Sequence, residues 1–461
     1  MVFDAFKIII AYLLPTIIGI VLLSWLEKGR QRWGGGEKIA LGFVLGSGIL
    51  GFYMFYLAVL KIPFSFWTIS PLFLVFFFGG LIIVKKQGFN KLIHFSRPVI
   101  FDRKNMGGKV LVAGLAVLLF GKMLLIGFNV IFAPTYFDDS VANYNYKAKV
   151  FYYNRSVNFA EEHPDYLGGY RPAYPQGISL IKTWVTICLG HWEEYAVNLY
   201  TLFVFIALGV ISYFNLVRII SRLLSFIFTY ILLSIPLLTF HGGYAHIDIV
   251  VGLYFFSGIV YLIRWIREGD RHSLFLSAFL FGIGLSIKDE MLALFVCAPL
   301  LTLVTYQIFS RVKIKNILKT TFQYIGVALI LNVPWFITKF VYQLQMGPRP
   351  DQRAFEFHPE AFKILASYLF NTGNYNILWP VFFCSIILSC FLPRKTELKY
   401  ILISISGALF ITLYLFIFTP FFEFLKIGTT INRALLIILP VIIFYLATFY
   451  GKIISSRRYF D

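Results

Sequence analysis

The chain is written in long apolar runs separated by short polar stretches. A helix needs about 20 apolar residues to cross a hydrocarbon core roughly 30 Å thick, and lipid tolerates only helices or closed barrels as spanning elements. The runs are apolar on every face and lack the alternation of a barrel strand. They predict helices near 6–25, 39–60, 65–84, 110–132, 195–217, 223–240, 247–265, 273–287, 291–309, 320–338, 377–393, 400–419 and 433–450, about thirteen spans in all. The expected fold class is an all-α polytopic membrane protein.

Composition agrees. Of 461 residues, 59% are hydrophobic, 19% aromatic and 14% charged, against about 25% charged in a soluble domain. The formal charge of +19 does not form a nucleic-acid patch, because the bases fall in short clusters between apolar runs, where they set topology. With "EKGRQRWGGGEK", "KKQGFNKLIHFSRPVIFDRKN", "RIISR", "RWIREGDRH", "RVKIKNILK", "PRKTELK" and "GKIISSRR" in the cytoplasm, the N-terminus and the remaining loops fall outside, the C-terminus inside. The outside loop 134–194 carries five bases (Lys147, Lys149, Arg155, Arg171, Lys182) against seven acids (Asp138, Asp139, Glu161, Glu162, Asp165, Glu193, Glu194), a net of −2. "MVFDAFKIIIAYLL" lacks the basic start and small-residue cleavage site of a signal peptide, so the first run reads as a retained span. Cys188, Cys297, Cys384 and Cys390 sit in apolar segments without metal or disulfide spacing and read as small hydrophobes.

Two outside segments, 134–194 and 339–376, are too long for turns and too aromatic for disorder, so the functional site is expected there. They divide the chain into an N-terminal three-helix segment 1–109, a membrane core 110–338 and a C-terminal part 339–461. Gln176 to Gly190 is apolar but shorter than a span, which suggests a helix lying at the interface. Gly42, Gly46 and Gly51 have helix-packing spacing. No internal repeat is evident, which counts against a repeat-built transporter.

The chemistry gathers in polar islands on the outer side. In "FDDSVANYNYKAKV", a helix would align Asp138, Ala142, Asn145 and Lys149 on one stripe with Lys147 facing the other way. Asp138 reads equally as a helix cap, and Asp139 as a first-turn charge. "EEHPDYLGGYRPAYPQGISLIKTWV" sets His163, Asp165, Tyr166, Arg171 and Tyr174 on a path fixed by proline and glycine. "HGGYAHIDI" offers His241, His246 and Asp248 as metal donors, in no established ligand spacing. "SIKDEM" embeds Lys288, Asp289 and Glu290 in an apolar stretch, functional at such depth or simply paired with one another. Arg433, opening the last span, either snorkels or binds an anion.

Taken together the islands resemble the GT-C superfamily of integral-membrane glycosyltransferases, of the protein O-mannosyltransferase and lipid A aminoarabinose transferase type. The resemblance rests on Phe137-Asp138, Tyr144, Lys147-Ala148, His163-Pro164-Asp165-Tyr166, Tyr244-Ala245-His246 and Lys288-Asp289-Glu290, in order, over roughly 134–295. Phe137 stands where the family has Trp, His246 where it has an acid, and Leu167 to Ala173 separate Tyr166 from the Tyr174-Pro175 that continues the pattern. The resemblance implies transfer of a sugar from a polyprenyl phosphate carrier to a lipid, glycan or protein acceptor at the outer face of a bacterial inner membrane, with inversion. Asp138 would be the general base and Asp165 would orient the acceptor or share a divalent cation, Mg²⁺ or Mn²⁺, with it. Asp139, Asn145, Lys147, Lys149, His163, Tyr166, Tyr174 and Glu290 would line the substrate, while Lys339, Arg349, Arg353, Arg171 and Arg433 would clamp the phosphate. The alternatives are a secondary transporter and an envelope-assembly membrane protein without catalysis.

Overall fold

The computed structural model describes residues 2–27, 32–88, 106–137, 139–347, 352, 354–391 and 396–457. Among them the chain is helical, without a β-strand. In order come α1 (Val2–Glu27), α2 (Gly35–Val59), α3 (Phe66–Gln87), α4 (Met106–Phe132), a π-helical turn (Asp139–Asn145), α5 (Tyr146–Asn154), α6 (Gly177–Leu189) and α7 (Glu194–Leu216). There follow α8 (Arg222–Leu233), α9 (Pro236–Gly243), α10 (Asp248–Glu268), α11 (Arg271–Leu285), α12 (Glu290–Phe295), a second π-turn (Val296–Leu300), α13 (Leu301–Phe309), α14 (Ile314–Leu329) and α15 (Val333–Val341). The chain closes with α16 (Glu360–Phe370), α17 (Leu378–Phe391), α18 (Thr396–Phe418), α19 (Phe422–Ile427) and α20 (Thr429–Arg457).

Ten helices among the described residues are long and apolar enough to cross a membrane, eleven if α8 and α9 count as one span bent by 66°. On length and apolarity the expected thirteen is therefore not reached among the described residues. The break falls where Pro236 opens α9, since proline cannot donate to the preceding turn and is tolerated at a helix start. The other two expected spans, α11 and α17, have 15 and 14 residues, about 21–22 Å of rise, short of the hydrocarbon thickness.

α10 is the axis of the bundle: 94% of its membrane window is buried, and α20 beside it is nearly as enclosed. α7, α11 and α20 pack around α10, and α1 pairs closely with α2. Small residues permit that pairing. A Cβ on Gly46 would overlap the Pro15 carbonyl, and one on Gly19 the backbone of Gly42. One continuous hydrophobic cluster runs from Ile8 to Ala447.

α6 departs from expectation. Nearly all of it is buried, against α1, α2, α5 and α7. The apolar helix expected over Gln176 to Gly190 is present, and it is covered by the protein's own helices rather than exposed on the surface. Gly46→Ala should cost about 1–3 kcal/mol of unfolding free energy through overpacking, and an unchanged denaturation midpoint would show that α1 and α2 separate without penalty.

Candidate active site

Where the spans meet one end of the bundle, six ionisable groups form a chain of alternating sign. Arg171 contacts one oxygen of Asp139 at 2.8 Å and Arg433 the other at 2.5 Å. Arg433 Nε also reaches Asp248 at 2.7 Å, and Lys288 bridges the second Asp248 oxygen, at 3.0 Å, to Glu290, at 3.3 Å. Asp248 is fully buried, so its charge is tolerable only because both oxygens are occupied by cations. Burial alone would lower the Lys288 ammonium, but Asp248 and Glu290 outweigh it and hold it protonated, above its ordinary value.

The elements explain the convergence. Asp248 opens α10, Arg433 lies in the first turns of α20, and Lys288 and Glu290 meet at the start of α12. Asp139 follows α4, and Arg171 is carried over the cluster by the loop before α6. Arg171 has a left-handed backbone, with φ 56°. For a residue other than glycine this is strain of about 1–3 kcal/mol. Lys147, buried beneath, donates to the carbonyls of Arg171 at 2.9 Å and Tyr174 at 3.3 Å and so holds that turn. The Tyr174 hydroxyl is within 3.5 Å of Arg171.

A second pair adjoins the first: Lys339, at the end of α15, binds Asp289 at 2.5 Å and the Gln345 carbonyl at 3.1 Å. The π-turn over Asp139–Asn145 departs from the α-helical spacing expected up to Asn145, and Asn145 and Lys149 differ in environment. Asn145 is buried and accepts from Lys182 at 2.5 Å, whereas Lys149 is exposed, and Lys147, expected to face the other way from Asn145, is buried as well. His163 and Asp165 serve the turn they stand in. The Asp165 N–H donates to His163 Nδ1 at 3.0 Å, and the carboxylate accepts from Asn154 at 2.8 Å. Tyr166 packs its ring 5.8 Å from Tyr342. Asp138, Arg349 and Arg353 lie outside the described residues.

Sequence reasoning missed Asp248 as the hub, taking it only for a metal donor, and passed over Lys182 and Asn198. Lys182 donates to Asn198 at 3.0 Å, and Asn198 donates to Thr135 at 2.7 Å. The available signal was a carboxylate opening an otherwise apolar span, costly in lipid unless paired or functional.

His241, His246 and Asp248 offer donor atoms within 4.8 Å of one another, all buried. They do not fit Mg²⁺ or Mn²⁺, which prefer oxygen ligands. Two of the three donors are imidazoles, their rings stacked 4.3 Å apart, and both Asp248 oxygens already bind cations. Burial, opposed by Asp248, lowers His246 to about 4, and its ring lies tilted against Phe137 with centroids 4.1 Å apart.

No family model and no curated protein sequence matches the chain. The structure, however, superposes on the crystal structure of ArnT from Cupriavidus metallidurans bound to undecaprenyl phosphate, with a TM-score of 0.53 and 13% identity. The chain has a GT-C-type membrane fold. The match covers 73% of this chain and 60% of ArnT, so it spans about three fifths of that protein's length.

Asp248→Asn should destabilise the protein by about 3–5 kcal/mol, because it removes the charge that faces buried Lys288 and half-buried Arg433. Adding Arg433→Gln should restore part of the loss, and strict additivity in that cycle would deny the pairing. Burial pushes Lys147 down to about 7, against about 10.4 unfolded. Between those values the unfolded chain holds a proton that the folded one has released, so stability rises as pH climbs from 7 towards 10. Lys182, also pushed by burial to about 7, acts in the same sense. The unfolding temperature should therefore rise from pH 7 to pH 9, with a shallower slope in Lys147→Met; identical slopes would remove Lys147 from the linkage.

Proposed function

We propose that this chain is an inverting glycosyltransferase that moves a sugar from a polyprenyl phosphate carrier to an acceptor at the outer face of the membrane. The observation that carries the reading is the convergence of Arg171, Arg433 and Lys288, with Lys339 adjoining, at one end of a GT-C-type bundle. ArnT, which shares that fold, was solved with undecaprenyl phosphate. The match in fold supports the class of reaction, and the charged cluster supports the site.

The cluster is balanced, with three cations and three carboxylates in contact. A donor phosphate therefore enters by exchange: its oxygens take the guanidinium contacts of Arg171 and Arg433 that Asp139 makes in its absence. Arginine suits this role because its planar fork serves two oxygens at once. α10 and α20 both point their N-terminal ends at the cluster, adding positive potential where the phosphate sits.

Asp138, next in sequence to Asp139, is the general base. It takes the proton of an acceptor hydroxyl or amine as that group attacks the anomeric carbon. The bond from that carbon to the phosphate oxygen breaks, its electron pair leaves with polyprenyl phosphate, and the configuration inverts. Tyr174 and Glu290 complete the donor side, Asp165 is a candidate for orienting the acceptor through the carboxylate oxygen that Asn154 leaves open, and Arg349 and Arg353, in the second outer segment of the sequence, are further candidates for the phosphate.

Purified protein should release polyprenyl phosphate from one member of a panel of polyprenyl phosphate sugars, with membrane extract as acceptor. Asp138→Asn should lose about 10²–10⁴ of that rate while keeping its elution and unfolding profiles. Arg433→Lys should raise the donor KM more than it lowers kcat. If no donor is consumed, or if Asp138→Asn turns over normally, the proposal fails.

A further inference from the structure

A cavity of about 740 Å³ lies between the π-turn Val296–Leu300, the first half of α18 and the second half of α20. That volume falls within the roughly 300–1,000 Å³ of small-ligand sites. The lining is apolar, with Leu301, Leu402, Ile403, Phe410 and Phe449 as its main walls, and Lys399 is the one charged residue among the described residues that form it.

Two backbone features build the cavity. A π-turn containing Pro299 displaces the wall between α12 and α13, and such turns recur at functional sites. Gly407 lets α18 close against that turn, since a Cβ there would overlap the Cys297 carbonyl. Val296, Leu301 and Phe410 remain 49%, 47% and 65% exposed, so the mouth opens sideways, towards the lipid surrounding the bundle.

The site lies far from the charged cluster. On α20, Arg433 belongs to the cluster and Phe449 to the cavity, 16 residues further on, or about 24 Å along the helix. Lys399 Nζ stands 3.3 Å from the Phe309 ring centroid and 5.7 Å from that of Tyr400. The neighbouring carboxylate, Glu397, is committed to Lys452. The ammonium is therefore held at the rim by ring faces, with its charge not spent on a carboxylate among the described residues.

We infer that this cavity binds an acyl chain of an anionic phospholipid from the leaflet opposite the charged cluster, with the phosphate at Lys399. A polyprenyl phosphate held by Arg433 would have its phosphate about 24 Å away and could offer Lys399 no anion. The inference does not depend on transferase activity.

The test is photolabelling of the full-length protein in nanodiscs with phosphatidylglycerol carrying a diazirine in its acyl chain. Matched arms use phosphatidylcholine with the same chain and a diazirine polyprenyl phosphate. Phosphatidylglycerol should label peptides spanning 296–301 and 402–410. Leu402→Trp, which fills the cavity, should cut that labelling at least fivefold at an unchanged elution profile. Lys399→Gln, which leaves the walls intact, should reduce the preference for phosphatidylglycerol over phosphatidylcholine at least threefold. Equal labelling by the two phospholipids, insensitivity to both substitutions, or labelling by the polyprenyl phosphate alone would overturn the assignment.

Discussion

The carboxylate of Asp248 grips Arg433 with one oxygen and Lys288 with the other, and the ends of three spans are fixed by that contact. A lone charge at this depth would carry a heavy desolvation cost. Shared between two cations, it becomes the link between the starts of α10, α12 and α20. Asp139 repeats the device one step outward by holding Arg171 and Arg433 together, and so ties the loop before α6 to the same node.

The other end of α10 obeys the same rule. Glu37, fully buried, accepts from Tyr261 at 2.8 Å and Arg218 at 2.8 Å and lies 3.6 Å from Arg264. Arg218 and Arg264 also donate to the Arg32 carbonyl, which binds the turn between α1 and α2 to the core. α10 is thus anchored electrostatically at both ends and enclosed between them. Any motion that admits a substrate must come from the elements around it, above all the loop bearing Arg171, whose left-handed backbone is held by hydrogen bonds from Lys147 and not by packing alone.

Much of this architecture could be read from the sequence, because span length and charge alternation are local properties. Each of the expected runs corresponds to a helix, and the polar islands do cluster at one end. What could not be read is pairing at long range. Arg433 and Asp248 are 185 positions apart and Arg433 and Asp139 are 294 apart, and no local pattern distinguishes a snorkelling arginine from a bridging one. The π-turn at Asp139–Asn145 was equally hidden. It departs from the α-helical spacing, and Asn145 and Lys147 are buried while Lys149 is exposed. The length and apolarity of α6 did not show that α1, α2, α5 and α7 would cover nearly all of it.

The balance of charge in the cluster bears on how it would act in the proposed reaction. Three cations opposed by three carboxylates attract an anion only weakly from a distance, so long-range steering has little part in recognition. Discrimination must arise at contact, where the two non-bridging oxygens of the donor phosphodiester can each take one of the guanidinium contacts that Asp139 makes with Arg171 and Arg433. A neutral lipid head could not match the Asp139 contacts that it would have to break.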